Sequence, residues 1–428
     1  MSLRKRRSGF QTRWPTLASL AWAYTASAAV FGATRPQDPD LRFARPTRVI
    51  VVDRESSPSK QALDDTRLLQ AALAHTECVV RIPAGVYVVS HPLKLRSRTW
   101  IDADPAAVIR LADGAGRDAA TFLLTNDDPE NGNQDIVVEG GVWDGNNQAN
   151  PRKREYHGHS YGGVAVSFVN VRGLVLRRMT IRNPESFSIR LGEVEDFMIE
   201  AIRFDQSLPR PNQDGVHIGG LCKRGVIQKL RVTSTSGTHD DMVALNADDD
   251  IERPFNVGLK CGDINDILIE DLESQDAYTF VRLLSHQHAI SNVAIRRIRG
   301  GFRTNVINAD RWRFPAGHGH LGGIAIEDVV VQKTGAKPDP CVFVQSGCAD
   351  LSLREIRRDD PGAANYPTLV LDNGRPNILE GAETRAFLAG EGGGSEPAER
   401  RIDGLFTIPT GGIDHLLIES AKTAWPQQ

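Results

Sequence analysis

The sequence predicts an all-β protein, a right-handed parallel β-helix with a short N-terminal capping helix. Three observations lead there: a strand-like pattern recurs through the middle of the chain, its copies are spaced too closely for helical repeats, and one amphipathic helix lies upstream of them. The pattern is apolar, any, apolar, two residues, apolar, any, apolar. It appears as LVLRRMTI, FMIEAIRF, ILIEDLES, VAIRRIRG, IAIEDVVV and LSLREIRR, with looser copies at IVVEGGVW and VIQKLRV. With the third position as marker the copies fall at Val138, Leu176, Ile199, Ile227, Ile269, Ile295, Ile326 and Leu353, in steps of 38, 23, 28, 42, 26, 31 and 27. Alternation of period two marks strands, and nothing between the copies sustains a 3.6-residue period. Each unit has room for three short strands and three turns, and stacked units of that size bury their inward residues against those of their neighbours.

The elements follow in chain order. Residues 1–40 read as an export signal or an N-terminal extension: MSLRKRRSGFQTRW is basic, and PTLASLAWAYTASAAVFGA follows with small and apolar residues and no charge. That is the order of a secretory signal and predicts a periplasmic or secreted protein. Arg6-Arg7 suits a twin-arginine signal, and an N-terminal helix packed on the body is the alternative. Beyond this segment no uninterrupted apolar run reaches the roughly 18 residues of a spanning helix, so no membrane partner is expected. In ALDDTRLLQAAL, Asp64 or Asp65 can cap a helix whose apolar face is Leu68, Leu69, Ala72 and Leu73. VVRIPAGVYVVS follows as a strand broken at Pro83-Ala84-Gly85. A helix over the first coil would blunt the open end of the stack, where unpaired strand edges invite aggregation. Residues 41–380 form the β-helix body, with insertions at DGNNQANPRKREYHGHSYGG and NADDDIERPFNVGLKCG projecting as loops. Residues 381–428 comprise a Gly-rich loop and a C-terminal strand or cap at GGIDHLLIES.

Bulk composition narrows the function little. The formal net charge of −3 gives no general attraction to nucleic acid or anionic membrane, and no basic stripe with interleaved aromatics is present, so nucleic acid is not an expected partner. The five cysteines show no metal spacing, and their odd number argues against a complete disulfide framework; Cys341 and Cys348 are the one close pair. No cofactor or metal is expected. The oligomeric state is not fixed by the sequence.

The chemistry is carried by the acids. In GTHDDMVALN two aspartates stand side by side before an apolar run, although adjacent carboxylates repel and one can be made to keep its proton near neutral pH. Counted from the markers, Arg190 lies 14 residues past Leu176, Asp214 15 past Ile199, Asp240 and Asp241 13 and 14 past Ile227, and Arg282 13 past Ile269. Since parallel strands sit roughly 4.7–4.9 Å apart, equal addresses predict a column of three carboxylates between two guanidinium groups, extended by Asn308 or Asp310. A polar ladder on a solvated face is the simpler alternative, with surface ion pairs worth only about 0–1 kcal/mol. Three acids within two coils cost repulsion that such a ladder would avoid, whereas carboxylates with split pKa values suit acid/base catalysis.

These motifs resemble those of the polygalacturonase-type glycoside hydrolases, family 28, of the pectin-lyase-like β-helix superfamily. Members carry Asn-x-Asp on one coil and Asp-Asp on the next, and here Asn212-Gln213-Asp214 is followed by Asp240-Asp241. The opening DDTRLLQAAL…IPAGVY is similar to that of the broader superfamily. The resemblance implies a carbohydrate substrate and an inverting hydrolysis. Asp240 would protonate the glycosidic oxygen, Asp214 and Asp241 would position and deprotonate water, Asn212 would orient Asp214, and Arg282 would bind substrate or tune the acids. Arg190, His217 and His239 join the candidate binding residues, either histidine supplying what the family's Gly-His-Gly motif supplies elsewhere. That motif is missing after the aspartate pair, where the chain reads VGLKCGDI, and the Arg-Ile-Lys lysine is replaced by Leu284. Tyr156, His157, His159 and Tyr161 are further candidates for lining a sugar subsite, or simply decorate their loop.

Two other readings compete. A polysaccharide lyase would share the fold, with NADDDIERP offering oxygen ligands to calcium. A non-catalytic glycan-binding β-helix would have no need of Asp214, Asp240 and Asp241 together.

Overall fold

The computed structural model describes residues 44–53, 64–152, 160–235, 237–310, 313–314, 319–337, 339–359, 369–371, 413–419 and 422–423. The expected export signal, the Gly-rich segment before Ile413, and Tyr156, His157 and His159 lie outside them. Within them the ladders between strands are parallel and join successive coils into one continuous β-helix. Each repeat marker is the register partner of the next, from Val138 to Leu176 and onward to Leu353, which in turn pairs with Ile418 of the strand Ile413–Glu419. All eight markers are at most 1% exposed. Stacking them removes each side chain from water on both flanks, worth about 1.5–3 kcal/mol apiece.

The two-residue gap in the pattern also has a structural cause. Two positions past each marker the backbone turns through the left-handed region, at Gly140, Arg178, Ala201, Lys229, Asp271, Arg297, Asp328 and Glu355, with φ between 52° and 79°. This corner resets the alternation, so the next apolar residue comes three positions after the marker instead of two. The residue between marker and corner faces outward. In register from coil to coil these residues are Glu139, Arg177, Glu200, Gln228, Glu270, Arg296, Glu327 and Arg354. Opposite charges therefore stack, with Arg177 on Glu139 at 3.0 Å and Arg296 on Glu270 at 2.8 Å. Neutral Gln228 separates two glutamates and donates to Glu200 at 3.0 Å.

The helix Thr66–Leu73 buries Leu69, Ala72 and Leu73 in the core beside the first coils, while Leu68 packs part-buried against it. Asp64 receives the Thr66 N–H at 2.9 Å, whereas Asp65 instead receives the Val88 N–H at 2.9 Å. The strand expected to break at Pro83-Ala84-Gly85 does so, between Cys78–Ile82 and Gly85–Val89.

Candidate active site

The address-based column needs one correction. The row in true register is Ser167, Arg190, His217, Ala244, Arg282 and Asn308, one residue per coil. His217 lies 18 residues past its marker and Ala244 17 past its own, against 13 or 14 for Arg190, Arg282 and Asn308. Two successive coils thus carry lengthened corners, and the acids sit in those corners, ahead of the row. Asp214 and Asp241 each stand three residues before the row position of their coil, and the Gly215 N–H donates to the Asp241 carbonyl at 2.9 Å. Glycine is required twice here. A Cβ on Gly215 would come within 2.4 Å of the Met242 carbonyl oxygen, and Gly237, at φ +70°, passes so close to the Asp276 carbonyl that a Cβ would overlap it. The first approach packs the two acid-bearing coils together, and the second seats the Asp240 corner on the coil that carries Arg282. One oxygen from each of Asp214, Asp240 and Asp241 lies within 4.8 Å of the others.

Their environment favours retained protons. Asp214 and Asp241 are 3% and 4% exposed, while Asp240 is only partly buried and is the member that faces outward. Burial, followed by the charges of Asp240 and Asp241, holds Asp214 well above the usual carboxylate range. Burial and Asp240 push Asp241 up to about 8, against the opposing pull of Arg282 and a hydrogen bond from Thr279. Asp240 is raised by burial but steadied by Arg282, by Asn212, and by Arg253 and Arg313. The cluster therefore cannot be fully ionised at neutral pH. Asn212 Nδ2 donates to Asp240 Oδ2 at 3.2 Å, so it orients Asp240 and not Asp214 as the motif implied.

Arg282 belongs to this site. Its guanidinium donates to Asp310 at 3.0 Å, and although burial works against its charge, Asp241, Asp310, Asp240 and Asp214 keep it above its ordinary value. Arg190 does not line the site as expected. It is 2% exposed and donates to Ser167 Oγ at 3.0 Å and to the carbonyls of Phe255 and Val257 at 2.8 and 3.0 Å. Its work is to pin the insertion after Asn246 over the row, where Phe255 meets Phe187 edge-on at 4.9 Å. His239 titrates in the field of Arg303 and Asp276, downwards because of its burial first, and those are not the groups of the acid cluster. His217 is adjacent to the acids: its Nδ1 is 2.8 Å from Asp214 Oδ2.

Two arginines join the site from loops, Arg253 from the insertion and Arg313 from the segment after the strand Ala289–Ala309. Tyr278, 41% exposed, stands beside the cluster, where burial and then Asp240 and Asp241 raise its hydroxyl. Neither arginine had a periodic address in the sequence, whereas Tyr278 lies on the strand Ile264–Leu284, nine residues past Ile269. The acid run proposed for calcium is engaged in building the loop. Asp248 accepts the backbone N–H groups of His286, Gln287 and His288 at 2.6–2.9 Å, and Asp249 pairs with Arg313. The three clustered carboxylates are close enough to share a cation, and Arg282, Arg253 and Arg313 lie in their field.

No family model matches the chain, and no curated protein matches it in sequence. Solved structures do match. The Streptococcus pneumoniae surface protein and adhesin PfbA is similar at 13% identity and a TM-score of 0.59, over 77% of this chain and 90% of that one. The endo-xylogalacturonan hydrolase from Aspergillus tubingensis is similar at 11% identity and a TM-score of 0.50, over 76% and 96%. Likeness at such identities shows the fold alone, a parallel β-helix on which a hydrolase and an adhesin are both built.

Proposed function

We propose that the protein is a glycoside hydrolase acting on a polysaccharide or oligosaccharide of pectin-like or related type. The observation that carries the reading is the meeting of three carboxylates within 4.8 Å at two lengthened corners, with burial and mutual repulsion holding protons on them. Asp240, at the opening and oriented by Asn212, gives its proton to the glycosidic oxygen. Asp214 and Asp241 position the attacking water, and Arg282 stabilises whichever carboxylate is ionised. The motif resemblance and the similarity to the Aspergillus tubingensis endo-xylogalacturonan hydrolase support a glycan substrate.

The closest oxygens are nearer than the roughly 6.5–9.5 Å usual between acid and base in inverting enzymes. Inversion therefore rests on the motifs, and the anomer formed first, read by NMR, tests it. The reading itself is tested on a panel of plant and microbial polysaccharides, following new reducing ends and ultraviolet absorbance together. Reducing ends without absorbance are expected. Absorbing, unsaturated products would make the protein a lyase, and binding with no release of sugar would place it with the adhesin-like β-helices.

We also infer export, from the basic-then-apolar order of residues 1–40. Among the described residues no helix is long and apolar enough to cross a membrane. N-terminal sequencing of the protein recovered outside the cytoplasm should begin after the apolar stretch; an intact Met1 terminus there would overturn the signal.

A further inference from the structure

We propose that His217 is a positioning residue that keeps a proton on Asp214: its Nδ1 accepts from the Asp214 carboxyl, and its Nε2–H faces Asp249. The catalytic consequence rests on the hydrolase reading, but the assignment of protons does not.

The ring is 1% exposed and lies flat on Phe187, with centroids 3.9 Å apart and planes 10° from parallel. It cannot rotate to find other partners. Among the described residues its one hydrogen bond joins Nδ1 to Asp214 Oδ2 at 2.8 Å, while the buried Nε2 finds no hydrogen-bond partner there and stands 3.6 Å from Asp249 Oδ2. Asp249 accepts from Asn246 Nδ2 at 3.2 Å and from the Asp250 N–H at 2.7 Å, and pairs with Arg313. A lone pair on Nε2 would point at that carboxylate, so the proton belongs on Nε2. If the ring is neutral, Nδ1 then carries the lone pair, and the proton in the 2.8 Å bond comes from Asp214.

The surroundings favour the neutral ring. Arg190 is its register partner one coil before, and Arg282 lies two coils beyond, across Ala244. Arg253 comes from the insertion and Arg313 from the following loop. Burial and these four cations hold the imidazole well below its usual range, which agrees with the raised carboxyl of Asp214. The acids facing it are Asp214 and Asp249.

During hydrolysis the arrangement works as a relay. Water loses one proton to Asp214, and its freed electron pair forms the bond to the anomeric carbon. Asp214 releases its own proton to His217 Nδ1, and the glycosidic bond breaks with its electron pair on the leaving oxygen, which takes the proton of Asp240. The transient imidazolium is stabilised through Nε2–H by Asp249, and once product leaves its extra proton passes back through Asp214 to the ionised Asp240. Protons and electron pairs balance without a further reactant.

The test is a long-range proton–nitrogen NMR correlation on wild-type protein with nitrogen-labelled histidine, the His217 signals being assigned by their loss in His217→Gln. One proton on Nε2, unchanged from about pH 5 to about pH 8, is expected. A proton on Nδ1 alone, or on both nitrogens, would overturn the assignment. The kinetic arm uses Asp249→Asn on a substrate found by the polysaccharide panel. Its kcat should fall about 10–100-fold with KM little changed; an unchanged kcat, or a loss confined to KM, would refute the relay. A panel yielding no substrate refutes the hydrolase reading, while the proton assignment still stands or falls by the spectrum.

Discussion

At the residue scale, the central fact is that the chain places three acids where two are already costly. Asn-x-Asp and Asp-Asp were legible as letters, and the structure brings those letters into one cluster. Arg253 and Arg313 were not legible, because their loops lack the register that gives strand residues an address. The cluster has a measurable cost. The folded carboxyl of Asp241 is raised from 3.8 to about 8, so its contribution to stability is complete at pH values below the unfolded carboxyl's range and is lost as pH climbs through the folded value. Asp241→Asn should therefore raise the melting temperature at pH 8 and leave it nearly unchanged at pH 4. Thermal unfolding at the two pH values checks this, and equal shifts at both would contradict the assigned burial and repulsion.

At the element scale, corner length decides the site. Markers gave the strands and their stacking correctly because an inward apolar residue cannot slip by one position without turning its neighbours to solvent. Distances beyond the next corner could not be counted, since the corners before His217 and Ala244 are three to five residues longer than those before Arg190, Arg282 and Asn308. That miscount is why Arg190 was expected among the acids when it actually fastens the insertion. Arg190→Ala would orphan two carbonyls and unseat Phe255 from Phe187. We expect a loss of about 2–4 kcal/mol and new protease cleavage between Ile251 and Lys260. An unchanged digestion pattern would show that the apolar contact alone holds the loop.

At the scale of the whole molecule, the same stacking that makes the core also makes the site. Coils hand their neighbours an apolar residue inside and, except where neutral Gln228 separates two glutamates, a charge of opposite sign outside, and the acids meet where corners lengthen. The fold was legible because it repeats; the site was only partly legible because it is the departure from the repeat. The fold alone serves an adhesin as well as a hydrolase, so the acids must decide between them. The most direct measurement compares wild-type protein with Asp240→Asn, matched for melting temperature, on the polysaccharide that the panel selects. We expect wild type to release reducing ends and the variant to release at least about 100-fold fewer while still binding the glycan. Equal release by the two proteins would contradict the account.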